Sequence, residues 1–181
     1  MSLPENAMKQ SFASLTPQEA LHVAIFIEER NAELYQRFAE MFVEFRDSDS
    51  SEIAGVFWEM AAEERDHSSR LQAKYMQRFG TSSCSLTEED LMEFIEVPRP
   101  EQVDLFATPD EMNKIGARDR ALQVALNAER SAQQYYASLV EKTGPGPLRQ
   151  LYRELADMED GHAAAIEQKM STYPARDVGK K

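Results

Sequence analysis

Apolar residues recur at alternating spacings of three and four along four long stretches of the chain, a pattern typical of helices that bury one face. The stretches cover residues 16–46, 49–79, 108–142 and 147–171. Their predicted inward stripes are Leu21, Ile25, Glu28, Ala32, Tyr35, Ala39 and Phe42; Ile53, Phe57, Met60, Glu64, His67, Leu71 and Tyr75; Leu122, Ala125, Glu129, Ala132, Tyr136 and Leu139; and Leu148, Tyr152, Leu155, Glu159, His162, Ile166 and Met170. The four stretches predict an all-α four-helix bundle that forms one domain over residues 1–181.

Local signals at the ends of these stretches divide the bundle into two antiparallel hairpins. Residues 16–19 combine a threonine cap, a first-turn proline and a glutamate three residues after the threonine, and the same signature precedes the third helix. The polar residues 47–51 and the glycine-proline residues 144–147 are predicted to form the turns within the hairpins. A long crossover over residues 80–107 joins the hairpins, and the pattern allows a short helix over residues 88–95 within it.

Charged residues interrupt each inward stripe at positions where apolar residues are expected. The interruptions are Glu28, Glu64, His67, Glu129, Glu159 and His162. The second and fourth helices thus each carry a Glu-x-x-His pair, and residues three apart share a helix face. Taken alone, such a pair more often lies on a protein surface than binds a metal. Two pairs with a further glutamate on each remaining helix match the ligand set of carboxylate-bridged two-metal sites in four-helix bundles.

The spacing of these residues around the predicted turns places them at matched depths. Residues that face each other across a hairpin are equidistant from its turn. The midpoint of Glu28 and Glu64 is position 46, beside the first turn, and the midpoint of Glu129 and Glu159 is position 144, the glycine that opens the second. If the two hairpins dock in register, all four carboxylates and both imidazoles converge at the middle of the bundle.

Such a buried cluster requires a cationic partner. Burying carboxylates without compensation costs several kcal/mol each, which is comparable to the net stability of a domain. Two divalent ions neutralise four carboxylates, and oxygen and imidazole ligands without thiolate favour iron or manganese, with zinc also able to bind. The sequence therefore predicts a dinuclear metal site.

Composition excludes several other classes. The net charge of −12 opposes binding to nucleic acid or to an anionic membrane surface. Cys84 is the single cysteine, so the chain has no internal disulfide and no Cys-x-x-Cys site of the rubredoxin type. No apolar run is long enough to span a bilayer and no signal sequence is evident, so we expect a cytoplasmic protein.

From about Thr16 to Met170 the chain resembles the ferritin-like superfamily, most of all the rubrerythrin di-iron domain, and its ligand set is also similar to that of bacterioferritin. The resemblance rests on the order Glu, Glu-x-x-His, Glu, Glu-x-x-His. It implies that Glu28 and Glu129 are terminal ligands, that Glu64 and Glu159 bridge two iron ions, and that both histidines ligate. It also implies an oxidoreductase that acts on O2 or hydrogen peroxide, or a relative that oxidises ferrous iron.

Two departures from rubrerythrin bear on the reaction. Rubrerythrin has an extra glutamate one turn after the ligand of the third helix, where this chain has Ala132, and the expected matching place in the first helix is Ala32. The rubredoxin domain that relays electrons is also absent from the chain, so an external electron donor would be required. Three functions stay open: a peroxidase or oxidase, a ferroxidase or iron-handling protein, and a metal-stabilised scaffold without turnover. A homodimer is a further hypothesis.

Several residues near the six predicted ligands are candidates for supporting roles. Tyr35 and Tyr136 follow Glu28 and Glu129 by seven residues on the same helix face, where each hydroxyl could hydrogen-bond a ligand. The neighbouring acids are expected to be solvated, with Asp66 or Asp157 the candidates for orienting an imidazole. These acids are Glu29, Glu63, Asp66, Asp157 and Asp160.

Overall fold

In a computed structural model, residues 15–46, 48–94 and 114–172 are described, and they form helices without any strand. The helices are α1 (Pro17–Glu44), α2 (Ser48–Phe79), α3 (Glu88–Phe94), α4 (Lys114–Lys142) and α5 (Pro147–Thr172). The prediction of an all-α bundle is confirmed, and α1, α2 and α5 begin and end within two residues of their predicted limits. The predicted cap at residues 108–111 and the second part of the crossover lie outside the described residues.

The predicted capping signals set the helix ends. At the start of α1, the Glu19 amide donates to Thr16 Oγ1 at 3.2 Å while the Thr16 amide donates to Glu19 Oε2 at 2.8 Å. After α2, Gly80 takes a left-handed φ of 60°, and its amide donates to the carbonyl of Met76 at 3.0 Å. Because these caps fix where each helix begins or ends, they also fix the depth of each inward residue within the bundle.

The helices form the two predicted hairpins, with α1 packed along α2 and α4 packed along α5. Contacts between α1 and α4 and between α2 and α5 join the two hairpins. Each predicted inward residue is buried or partly buried. The second half of the chain therefore repeats the arrangement of the first, with Glu28 of α1 corresponding to Glu129 of α4.

A polar layer divides the apolar core into two parts. On α1, one apolar cluster takes residues 20–27 and the other takes residues 34–42, and the other long helices are divided in the same way. Among the described residues, the buried polar side chains between the clusters are Glu28, Asn31, Glu64, His67, Ser68, Glu129 and Glu159. Burial of apolar surface on both sides stabilises the fold at about 25 cal/mol per Å², while the polar layer itself requires internal partners.

No helix in the described part of the chain is both long enough and apolar enough to cross a membrane.

Candidate metal centre

The structure brings all six predicted ligand residues together in the polar layer. The four glutamates and His67 have no exposed surface, and the side chain of His162 is 11% exposed. The two imidazole rings stack with their centroids 5.9 Å apart and their planes 16° apart. Each ring points its Nδ1 atom at carboxylates from both hairpins, so the cluster is shared between them.

One group of donors lies around His67. Its Nδ1 atom is 3.0 Å from Glu28 Oε2, 3.3 Å from Glu159 Oε1 and 4.0 Å from Glu64 Oε1. Each of these four residues offers a donor atom within 4.8 Å of the other three. Two ligands that bind one ion at right angles, each about 2.1 Å away, lie about 3 Å from each other. The spacings in this group therefore fit ligands of one ion.

A second group lies around His162. Its Nδ1 atom is 3.2 Å from Glu64 Oε1, 3.3 Å from Glu129 Oε2 and 3.8 Å from Glu159 Oε2. These four residues again offer donor atoms that all lie within 4.8 Å of one another. Glu64 and Glu159 belong to both groups, whereas Glu28 and Glu129 each belong to one. The geometry thus matches two adjacent ion positions that share two carboxylates.

The shared glutamates are also the ones whose oxygens lack hydrogen bonds. Neither carboxylate oxygen of Glu64 or of Glu159 has a hydrogen-bond partner, although Nδ1 of His67 lies 3.3 Å from Glu159 Oε1 and Nδ1 of His162 lies 3.2 Å from Glu64 Oε1. A buried carboxylate without a donor is strongly unfavourable. Because bound cations would satisfy all four oxygens, the donor set fits a pair of metal ions.

Two tyrosines hold the other two glutamates across the bundle. The Tyr35 hydroxyl donates a hydrogen bond to Glu129 Oε1, and the Tyr136 hydroxyl donates to Glu28 Oε1. Both tyrosines are fully buried, and burial together with nearby carboxylates raises the pKa of each hydroxyl well above its usual value. The hydroxyls therefore stay protonated and act as donors, each to the glutamate of the opposite hairpin.

A contact that the sequence did not predict orients His162. Its Nε2 atom lies 2.6 Å from Glu63 Oε2. Glu63, whose side chain is 53% exposed, makes this contact in place of Asp66 or Asp157. The expectation that Glu63 is merely solvated is therefore wrong. No pattern in the sequence identified it, because the contact crosses from α2 to α5 and depends on how the hairpins dock.

The two histidines consequently differ. His67 Nε2 is buried and has no hydrogen-bond partner, whereas the corresponding atom of His162 contacts a carboxylate. The repeat explains the difference, because the residue before Glu64 is Glu63 and the residue before Glu159 is Met158. A thioether is only a weak hydrogen-bond acceptor. The repeat is therefore symmetric in its six central residues and asymmetric just outside them.

The electrostatics of the cluster reflect its burial. Burial raises the pKa values of Glu64 and Glu159 well above the usual carboxylate value, and neighbouring carboxylates raise them further. Burial also acts to raise the pKa of Glu129, but its hydrogen bonds outweigh this effect and the pKa is lowered. Burial acts to lower the pKa values of His67 and His162, yet contacts with carboxylates raise both. Without a metal ion, the cluster therefore retains protons that a metal ion would displace.

The position that matches Ala132 requires a correction. Ala132 follows Glu129 by three residues, and the residue three after Glu28 is Asn31, so Asn31 rather than Ala32 is its counterpart. Asn31 and Ala32 are both buried, as is Ala132. The described cluster therefore has an amide on one side of the repeat and a methyl group on the other.

Comparison with known families supports the resemblance. Residues 19–104 match the family model described as Rubrerythrin. The match covers α1, α2 and α3, and hence Glu28, Glu64 and His67, but it ends before α4. The predicted likeness to the rubrerythrin di-iron domain is therefore confirmed for the first hairpin, and the internal repeat extends the same pattern to the second.

One solved structure is similar to nearly the whole chain. A hypothetical protein from Pyrococcus furiosus superposes with a TM-score of 0.71 at 25% sequence identity, over 91% of this chain and 94% of that chain. No curated protein matches the chain significantly. The family model thus supports the family resemblance, and the solved structure supports the fold. The reaction has to be inferred from the site.

Proposed function

We propose that this rubrerythrin-like chain of the ferritin-like superfamily is a non-haem di-iron oxidoreductase that reacts with O2 or hydrogen peroxide. The observation that carries the proposal is the pair of overlapping donor groups, each with one imidazole and three carboxylates, that share Glu64 and Glu159. Four carboxylates balance the charge of two divalent ions, and the absence of thiolate from the described cluster favours iron or manganese, with zinc able to bind as well.

A pair of ferrous ions held there would supply the two electrons needed to reduce an O–O bond. The residues of the chain contribute fixed positions and a dry environment. Tyr35 and Tyr136 hold Glu129 and Glu28 in one orientation through buried hydrogen bonds. Apolar clusters on both sides exclude water from the layer, which strengthens every electrostatic interaction within it.

The surroundings of His162 favour metal binding through its Nδ1 atom. Its Nε2 contacts Glu63, whose side chain is 53% exposed, while its Nδ1 faces the cluster. A carboxylate at the far nitrogen favours the neutral tautomer with its proton on Nε2, which leaves Nδ1 able to bind a metal ion. His162 and Glu63 are also the point at which the cluster is nearest to solvent.

A ferroxidase or iron-handling function is the second candidate. It is favoured by Ala132, which stands where rubrerythrin has its extra glutamate and leaves the site with the simpler set of six ligands. An external electron donor, a homodimer and a cytoplasmic location complete the proposal.

The test is anaerobic loading with ferrous iron followed by exposure to peroxide or to O2, monitored by stopped-flow absorbance. Iron oxidation within seconds and its return to the ferrous state by an added reductant support the oxidoreductase. Oxidised iron that accumulates beyond two ions per chain supports iron handling, and iron that stays ferrous supports a scaffold. Asp66→Ala and Asp160→Ala remove exposed acids from α2 and α5, the helices that carry Glu64 and Glu159. Both variants should react as the parent does, because the loss of an exposed charge leaves the six central residues in place.

A further inference from the structure

Asn31 is a fully buried side chain in the polar layer, and neither the oxygen nor the nitrogen of its amide has a hydrogen-bond partner. A buried amide that makes no hydrogen bond is unfavourable, because it has given up its hydrogen bonds to water. The other buried polar residues of the layer are ligand candidates or, for Ser68, accept a hydrogen bond from Gln72 at 3.1 Å. The amide of Asn31 is therefore a buried polar group that makes no stabilising hydrogen bond with the described residues.

Asn31 lies on the face of α1 that carries one residue of the Glu and His cluster and one hydrogen-bond donor to that cluster. It lies three residues after Glu28 and four residues before Tyr35 on α1, so all three share one helix face. Glu28 contacts His67, and Tyr35 donates to Glu129, so the side chains on either side of Asn31 both reach the cluster. The amide consequently lies within the same layer, between the two apolar halves of the core.

The internal repeat shows that the fold does not require an amide here. The counterpart of Asn31 is Ala132, which is buried to 1% exposure and packs in one of the apolar clusters. An apolar residue therefore fits this place in the bundle. The amide distinguishes one side of the cluster from the other without adding charge to it.

We propose that the Asn31 amide hydrogen-bonds a small exogenous ligand, of the water, peroxide or azide class, when that ligand binds the metal pair. This inference rests on the proposed function, since it requires metal in the cluster. An amide suits the task because it has both a donor and an acceptor, so it can bind a ligand whose protonation state changes. Its neutrality leaves the balance between four carboxylates and two divalent ions unaltered.

Two substitutions separate this role from a structural one. Asn31→Leu replaces the amide with an apolar group of similar size, and Asn31→Ala removes it altogether. Tyr152→Phe is the matched control, because the Tyr152 hydroxyl is also buried without a partner but lies seven residues, about 10 Å along α5, from Glu159. Phe57 occupies the corresponding position on α2, which shows that phenylalanine fits there.

The measurement is an azide titration of the di-iron(III) protein, read from its charge-transfer absorbance, together with thermal unfolding of each metal-free variant and its iron content. We expect Asn31→Leu to bind two iron ions and to unfold at the parental temperature or above, yet to bind azide about tenfold more weakly, as loss of one hydrogen bond implies. Asn31→Ala should weaken azide binding similarly. Tyr152→Phe should match the parent in azide affinity.

Several results would overturn the inference while leaving the metal site intact. These are parental azide affinity in both Asn31 variants, no azide binding by the iron-loaded parent, and an equal loss of affinity in Tyr152→Phe. Loss of one iron ion from both Asn31 variants would assign Asn31 as a metal ligand instead and would also overturn it. A parent chain that binds no iron would overturn both this inference and the proposed function.

Discussion

The hydroxyl of Tyr35 on α1 donates a buried hydrogen bond to the carboxylate of Glu129 on α4, and Tyr136 makes the reciprocal bond to Glu28. Each tyrosine thus orients a glutamate of the other hairpin. The two hydrogen bonds join α1 of one hairpin to α4 of the other at the level of the cluster. The same bonds therefore link the assembly of the bundle to the geometry of its metal site.

Removing either hydroxyl should weaken both the fold and the metal site. Tyr35→Phe leaves one oxygen of a buried carboxylate without its donor, so we expect the free energy of unfolding of the metal-free protein to fall by about 1–3 kcal/mol. The affinity for cobalt(II) should fall about tenfold, because Glu129 is no longer held in place. Chemical denaturation and a cobalt titration measure the two effects.

Tyr135→Phe provides the control for this prediction. The Tyr135 hydroxyl is equally buried, but it donates to the backbone carbonyl of Ala20 at 2.8 Å and not to the cluster. The Tyr135→Phe variant should therefore lose stability without losing affinity for cobalt. If Tyr35→Phe and Tyr135→Phe had the same cobalt affinity, the tyrosine would have no role at the metal site.

The pH dependence of stability should change sign on metal binding. Burial raises the pKa values of Glu64 and Glu159 above the unfolded value of 4.5, so the metal-free folded state holds protons that the unfolded state has released. The contribution of these two carboxyls to stability is then fully present below their unfolded pKa and is lost as the pH rises through their folded pKa values. The raised pKa values of both histidines act in the same direction.

Thermal unfolding of the metal-free protein between pH 5 and pH 8 checks this expectation. The double variant Glu64→Gln with Glu159→Gln keeps the size of both side chains without their titration, so its stability should change much less over this range. Metal-loaded protein should instead gain stability with rising pH, because metal ions compete with protons for the same ligands. A metal-free parent that becomes more stable toward pH 8 would contradict this expectation.

Glu63 should make the two metal positions unequal. Glu63→Met gives α2 the residue that α5 already has at Met158, and it removes the carboxylate that contacts His162 Nε2. We expect the affinity for one cobalt ion to fall by about 10-fold or more, because the loss of the hydrogen-bond partner of a ligating histidine has effects of that size. The affinity for the second cobalt ion should change little. Glu59→Met, at an exposed glutamate one turn earlier on α2, is the control. Equal loss at both ions would show that Glu63 acts on the cluster as a whole.

The shared and unshared glutamates should differ in the metal that they retain. Glu64 belongs to both donor groups, so Glu64→Ala should abolish binding of both ions, whereas Glu28→Ala should leave the ion bound by Glu129 and His162. Equilibrium dialysis with ferrous iron under nitrogen distinguishes zero, one and two ions per chain. Retention of two ions by Glu64→Ala would refute its assignment as a bridge.

The helices and the six central residues could be predicted from the sequence for a definite physical reason. Inward positions recur at helical spacing, caps mark the ends, and equal distances from each turn determine which residues lie level. Glu28 and Glu64 could therefore be placed at one depth from their spacing alone. These rules act within a helix or within a hairpin.

Contacts between hairpins depend on docking, which no local pattern sets. The contact between Tyr35 and Glu129 and the contact between Glu63 and His162 both cross from one hairpin to the other. Asn31 was missed for a different reason. The buried face of a helix is an arc at least about 100° wide, so it includes both Ala32, which the predicted stripe contained, and Asn31 beside it.

The number of ferrous ions that the parent chain binds under nitrogen decides whether the polar layer is a dinuclear metal site. We expect two ions per chain, with proton release on binding because Glu64 and Glu159 must lose their protons. If the parent chain bound no iron, or only one ion at ferrous concentrations up to about 1 mM, a limit for weak binding, the polar layer would not be a dinuclear metal site.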